Sequence, residues 1–145
     1  MGKRELYFGV ALVAAPLFCL VYNLFFISNS LTFDQLFVEK KMLLWGVIIL
    51  PIIEELAFRG VIQEYIGTKT KTLPSFFYLS TANILTSVLF AGIHLIYHHA
   101  IWVLLVFFPS LVFGYFKEQY QGILPSIILH AFYNFNFILL VGSIG

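Results

Sequence analysis

The chain has 145 residues, of which 61% are hydrophobic, 19% aromatic and only 10% charged. A soluble domain averages about 45–50% apolar and about 25% charged residues, so with a mean hydropathy of +0.95 an ordinary soluble domain is excluded and a polytopic membrane protein is expected. A net charge of +1 without a basic block gives no footing to nucleic acid, and the single cysteine, Cys19, excludes an intrachain disulfide and a CxxC metal site.

A membrane span needs about 20 mostly apolar residues to cross about 30 Å of hydrocarbon. The first stretch that qualifies is Leu6–Ile27, behind the basic start Lys3–Arg4. It resembles a secretory signal but is longer than a signal core, and no small-x-small site follows, so it is expected to be a retained helix. Cys19 lies among its Leu and Phe residues as a small buried apolar side chain. In the linker "SNSLTFDQLFVEKK", Leu31, Phe33, Leu36 and Phe37 alternate with polar residues, which suggests a short interfacial helix. The further spans are Met42–Ile66, Pro74–His98, Ala100–Phe116 and Ile123–Gly142. The linkers between them are "GTKTKTL", "YHHA" and "KEQYQG", and His98 and His99, beside Tyr97 and Trp102, are expected at the interface. With the N-terminus inside, Lys3, Arg4, Lys69, Lys71 and Lys117 face the cytoplasm while Lys40 and Lys41 face out, as the positive-inside rule prefers. The expected fold is all-α: a polytopic transmembrane helix bundle of about five spans, with residues 1–145 as one membrane-embedded domain of a prokaryotic plasma membrane.

The prolines divide into two groups. Pro74 and Pro125 lie near expected helix starts, where a missing N–H costs little. Pro16, Pro51 and Pro109 lie inside spans, where proline removes a backbone bond and bends the helix. Membrane helices tolerate this, and Pro16 and Pro109 need no other account. Pro51 is one turn before Glu54, where a kink would open the bundle beside the carboxylates.

Polar residues recur at membrane depth: Glu54, Glu55, Arg59 and Gln63 in the second span, Asn83, Ser87 and His94 in the third, His130, Asn134 and Asn136 in the fifth. Such residues are costly in lipid and mark bundle interiors or water-filled cavities. Glu55 and Arg59 are four apart and share a face, so they can pair, whereas Glu54 points about 100° away around the helix. With no cation one turn away, Glu54 is the candidate general base; the alternative is that it pairs with a cation from another span. His130 and Asn134 are also four apart, and Asn83, Ser87, Phe90 and His94 fall along one stripe. Water held by Glu54 and His94, with His130 and Asn134 donating to an oxyanion, would form a hydrolytic site.

These residues resemble a family pattern. "EELAFRG" is similar to the EExxxR motif, "FAGIH" to FxxxH and "HAFYN" to HxxxN of the CPBP family, the CAAX-prenyl-protease-like and bacteriocin-processing or immunity intramembrane enzymes also called Abi proteins. "VFGYFKEQYQGILPSIILHAFYN" resembles the family's approach to its last motif. The resemblance covers roughly Trp45 to Phe137 and looks like a near-minimal core. It implies an intramembrane endopeptidase with Glu54 as general base, His94 as its partner in orienting the water, His130 and Asn134 stabilising the oxyanion, and Glu55 with Arg59 holding the motif helix. It implies no required cofactor. From the residues alone, Glu54, His94 and His130 leave a two-histidine, one-carboxylate site for a divalent metal such as zinc open, though no HExxH is present.

The expected substrate is a small membrane-associated or tail-anchored protein, or a lipidated or hydrophobic peptide, met in the bilayer. The alternatives are a membrane immunity protein against a peptide toxin, and a non-enzymatic small channel or assembly subunit. At 1.5 Å per residue, Glu54 and His130 fall at matching depths, while His94, four residues before the end of its span, is expected nearer the outer face.

Overall fold

The computed structural model describes residues 2–27, 40–76, 78–98 and 101–141. Helix α1 (Lys3–Tyr22) continues through a π-helical stretch, Asn23–Ile27, so the first expected span is helical throughout. A second helical run alternates α and π: α2 (Lys40–Leu43), π Leu44–Ile49, α3 (Leu50–Glu55), π Leu56–Ile62 and α4 (Gln63–Thr70). Then come α5 (Thr81–His98), a 3-10 stretch Ile101–Val106, α6 (Phe107–Tyr120) and α7 (Leu124–Leu140). No strand occurs among the described residues, where Phe76 and Leu79 form an isolated bridge. Lys3–Phe25 and Thr81–His98 are long and apolar enough to cross a membrane, and Leu124–Leu140 is a shorter apolar helix. The linker residues Leu31, Phe33, Leu36 and Phe37, and His99, lie outside the described residues.

Two element boundaries depart from expectation. The third helix starts at Thr81, not Pro74, because Ser80 caps it: the Ser80 hydroxyl oxygen accepts the Asn83 N–H at 3.0 Å, satisfying a donor that the first turn leaves open. Ahead of the cap, Tyr78 takes a left-handed φ of 64° and Phe76 and Leu79 exchange backbone bonds of 2.9 Å, so this segment turns and Pro74 lies in a loop. The fourth expected span opens as the 3-10 stretch, which places Pro109 in the first turn of α6. There its missing N–H leaves no intrahelical bond unmade. Pro51 is the second residue after the π stretch Leu44–Ile49, whose end is marked by the Leu50 N–H bonding to the Trp45 carbonyl, one residue further back than in an α-helix.

The chain divides into two compact units, Met1–Pro51 with Ile128–Gly145, and Ile52–Ile127. In the first, α1 buries a stripe of mostly small residues, Ala11, Ala15, Cys19 and Tyr22, while Val10, Val13, Leu17 and Val21 are exposed. This stripe meets α7, which runs parallel to it. The Tyr133 hydroxyl donates to the Ala11 carbonyl at 3.0 Å, Tyr22 and Phe137 pack edge to face at 5.3 Å, and the Asn23 amide donates to the Leu140 carbonyl at 2.7 Å. Cys19 is buried as expected.

In the second unit α5 runs antiparallel to the segment that carries Arg59. The rings of Phe58 and Phe90 pack at 5.0 Å, and further along a Cβ on Gly67 would meet the Ala82 Cβ at 3.8 Å. Helix α6 runs parallel to that segment at a fixed offset: Arg59 bonds to Ser110, and four residues on Gln63 bonds to Gly114.

Candidate active site

Glu55 and Arg59, one turn apart, are both fully buried, with Arg59 Nε 3.2 Å from Glu55 Oε2. Arg59 Nη2 donates to the Ser110 carbonyl at 2.8 Å and to its hydroxyl at 2.7 Å. Its guanidinium lies over the rings of Phe90 and Phe113, 5.0 and 5.7 Å from their centroids. A buried charge demands this combination of a counter-ion and further hydrogen bonds, and cation–π contact adds to it. The pair thus ties its own helix to α6 through polar bonds and to α5 through Phe90.

Glu55, Arg59, Gln63 and Gly67 recur every four residues. In a straight α-helix of 3.6 residues per turn such a stripe drifts around the axis. The π stretch Leu56–Ile62, whose i→i+5 bonds take more residues per turn, counteracts the drift. Ser110, Gly114 and Glu118 answer it on α6 with the same spacing.

Glu54 is half-buried and adjoins Glu55 on α3. The antiparallel contact that joins Phe58 to Phe90 and Gly67 to Ala82 fixes the register of this helix against α5. Glu54 lies one turn before Phe58 on its segment, and His94 one turn after Phe90 on α5.

His94 Nδ1 lies 2.9 Å from the Phe90 carbonyl oxygen, and its ring packs on Phe90 with centroids 4.3 Å apart. A carbonyl only accepts, so Nδ1 carries the hydrogen. The ring of exposed His98 stacks on His94 at 6.3 Å.

His130 and Asn134 belong to the first unit, one turn apart on α7; His130 is buried and Asn134 half-buried. Asn134 Nδ2 donates to the Gly46 carbonyl at 2.9 Å. Asn136 donates to the Phe132 carbonyl at 2.8 Å, which identifies it as a helix-local group. Among the described residues, within neither unit do three His, Cys, Asp or Glu side chains gather as a metal site requires.

Four polar contributors escaped sequence reasoning: Ser80, Ser110, Gly114 and Glu118. Their signal was the four-residue spacing of Ser110, Gly114 and Glu118, which repeats that of Glu55, Arg59 and Gln63.

Large apolar side chains outside and a buried ion pair with amides inside define a class: helical proteins built for a bilayer. The family model for type II CAAX prenyl endopeptidase, Rce1-like, matches residues 37–136. The chain belongs to this family of membrane-embedded proteases, in agreement with the EExxxR, FxxxH and HxxxN resemblance. No curated protein and no solved structure matches the chain.

Proposed function

We propose that the chain is an intramembrane endopeptidase that hydrolyses a peptide bond of a small membrane-associated or lipidated protein or peptide. Glu54 takes a proton from a water molecule as the water oxygen adds to the scissile carbonyl carbon. His94 accepts the water's other hydrogen at Nε2 and orients it. The carbonyl electron pair moves onto oxygen, and His130 and Asn134 donate to that oxyanion. When the tetrahedral intermediate collapses, the C–N bond breaks and the amine leaves with the proton that Glu54 carried, which regenerates the carboxylate. Glu55 and Arg59 hold the helix that presents Glu54.

One observation supports the proposal: Phe58–Phe90 and Gly67–Ala82 join the segment that carries Glu54 to the helix that carries His94, with Glu54 one turn from Phe58 and His94 one turn from Phe90, whose carbonyl accepts the hydrogen of His94 Nδ1. The roles of His130 and Asn134 rest on the family motif. About five spans, with a cytoplasmic N-terminus, complete the proposal.

The test is cleavage by the purified full chain in detergent. A quenched fluorescent peptide ending in a farnesylated CAAX sequence is compared with its unprenylated counterpart, and products are identified by mass. Cleavage within the three residues after the cysteine of the prenylated probe is expected. Absence of product from both peptides contradicts the proposal. Retention of rate after EDTA treatment supports water activation by Glu54, whereas loss that added zinc restores assigns that activation to a metal.

A further inference from the structure

We infer that Glu118 is a positioning residue, which with Gln63 and Ser80 forms a three-helix polar lock that sets the height of His94 against Glu54. The inference rests on the roles proposed above for those two residues.

Glu118 Oε1 accepts two hydrogen bonds, from Gln63 Nε2 at 2.7 Å and from the Ser80 hydroxyl at 2.5 Å. Gln63 is buried at the start of α4, in the helical run that also carries Glu54. Ser80 is the cap of α5, since its oxygen accepts the Asn83 N–H at 3.0 Å. One carboxylate oxygen of α6 therefore holds the start of the His94 helix and the helix that presents Glu54. Asn83 reinforces the junction by donating from Nδ2 to the Leu111 carbonyl of α6 at 2.9 Å. Gly114 permits the close approach: a Cβ there would overlap the Asn83 amide, at 2.6 Å from Cγ, and stand 3.0 Å from Gln63 Oε1.

The lock lies far from the chemistry and still governs it. Ser80 and His94 are 14 residues apart, about 21 Å at 1.5 Å per residue, so Glu118 has no reach to the reacting atoms. An α-helix is stiff along its axis, however, and a slip at Ser80 arrives at His94 undiminished. Close to the lock α4 and α5 meet through Gly67 and Ala82, two small residues whose non-directional apolar contact resists sliding weakly. Directed bonds to one carboxylate supply the axial stop.

The experiment uses the full chain with Cys19→Ala in detergent and the farnesylated CAAX probe. Glu118→Ala is expected to lower kcat by about 10²-fold, the cost of a misplacement near 1 Å, with KM little changed. Glu118→Gln, which keeps a carbonyl oxygen in the place of Oε1, retains most of kcat, an outcome a proton-transferring Glu118 would not allow. Gly67→Cys with Ala82→Cys places two Cβ atoms 3.8 Å apart, the mean separation in disulfides, about 3.8 Å. Closed by oxidation in the Glu118→Ala protein, this bridge fixes the same register covalently and restores kcat, and reduction removes the gain. The lock is overturned if Glu118→Ala turns over like its parent, if the bridge fails to close, or if the bridged protein stays slow. Glu54→Gln runs in parallel: a parent that cuts only with Glu54 intact upholds the proposed chemistry whatever Glu118 does. A parent that is inactive, or indifferent to Glu54, brings down that chemistry and the lock with it.

Discussion

His94 is held at Nδ1 by the Phe90 carbonyl, and the proposed mechanism gives Nε2 the contact with water. Asparagine reproduces the reach of Nδ1 and glutamine that of Nε2, so the two substitutions separate a structural bond from a catalytic one. His94→Asn is expected to lose roughly 10²–10⁴ in kcat, the span of general acid–base contributions, and His94→Gln clearly less; equal losses would contradict the assignment. At the same scale the Glu55–Arg59 pair was legible from its spacing alone, because four residues bring two side chains onto one helix face. The start of the helix that carries His94 was not legible, because the Ser80 hydroxyl decides it and the apolar run extends past it to Pro74.

Between elements, the four-residue stripes on the Arg59 segment and on α6 carry the packing. Arg59→Ala leaves the Glu55 carboxylate buried without its counter-ion, and removal of one partner of a buried pair costs about 3–5 kcal/mol. A fall in thermal midpoint in detergent large enough to threaten folding is expected, and a midpoint equal to wild type would contradict the burial of the pair. Gly114→Ala pushes a methyl group into the Asn83 amide; overpacking of this kind costs about 1–3 kcal/mol and is read in the same melt. Most helices were foreseen from apolar run length. The π stretches were not, because the switch to i→i+5 bonding leaves the apolar pattern unchanged, and only the exact four-residue recurrence of Glu55, Arg59 and Gln63 hinted at it.

For the whole molecule, exposed Val10, Val13 and Leu17 beside buried Ala11 and Ala15 reverse the order of a soluble helix. Small residues at helix contacts suit a bilayer, where close backbone approach replaces the hydrophobic drive. The proposed orientation is tested with single cysteines in a Cys19→Ala chain. Lys41→Cys is expected to react with an impermeant maleimide added to intact cells and Lys71→Cys only after lysis; the reverse pattern would invert the topology. Helical class and family were readable from composition and the three motifs, whereas the division into two compact units followed from contacts that a linear pattern does not display. The most direct test of the central claim is the cleavage rate of purified Glu54→Gln on the farnesylated CAAX probe, with folding matched to wild type by thermal melt. A folded protein slowed by roughly 10²–10⁴-fold is the predicted result; a Glu54→Gln protein that cuts at the wild-type rate contradicts it.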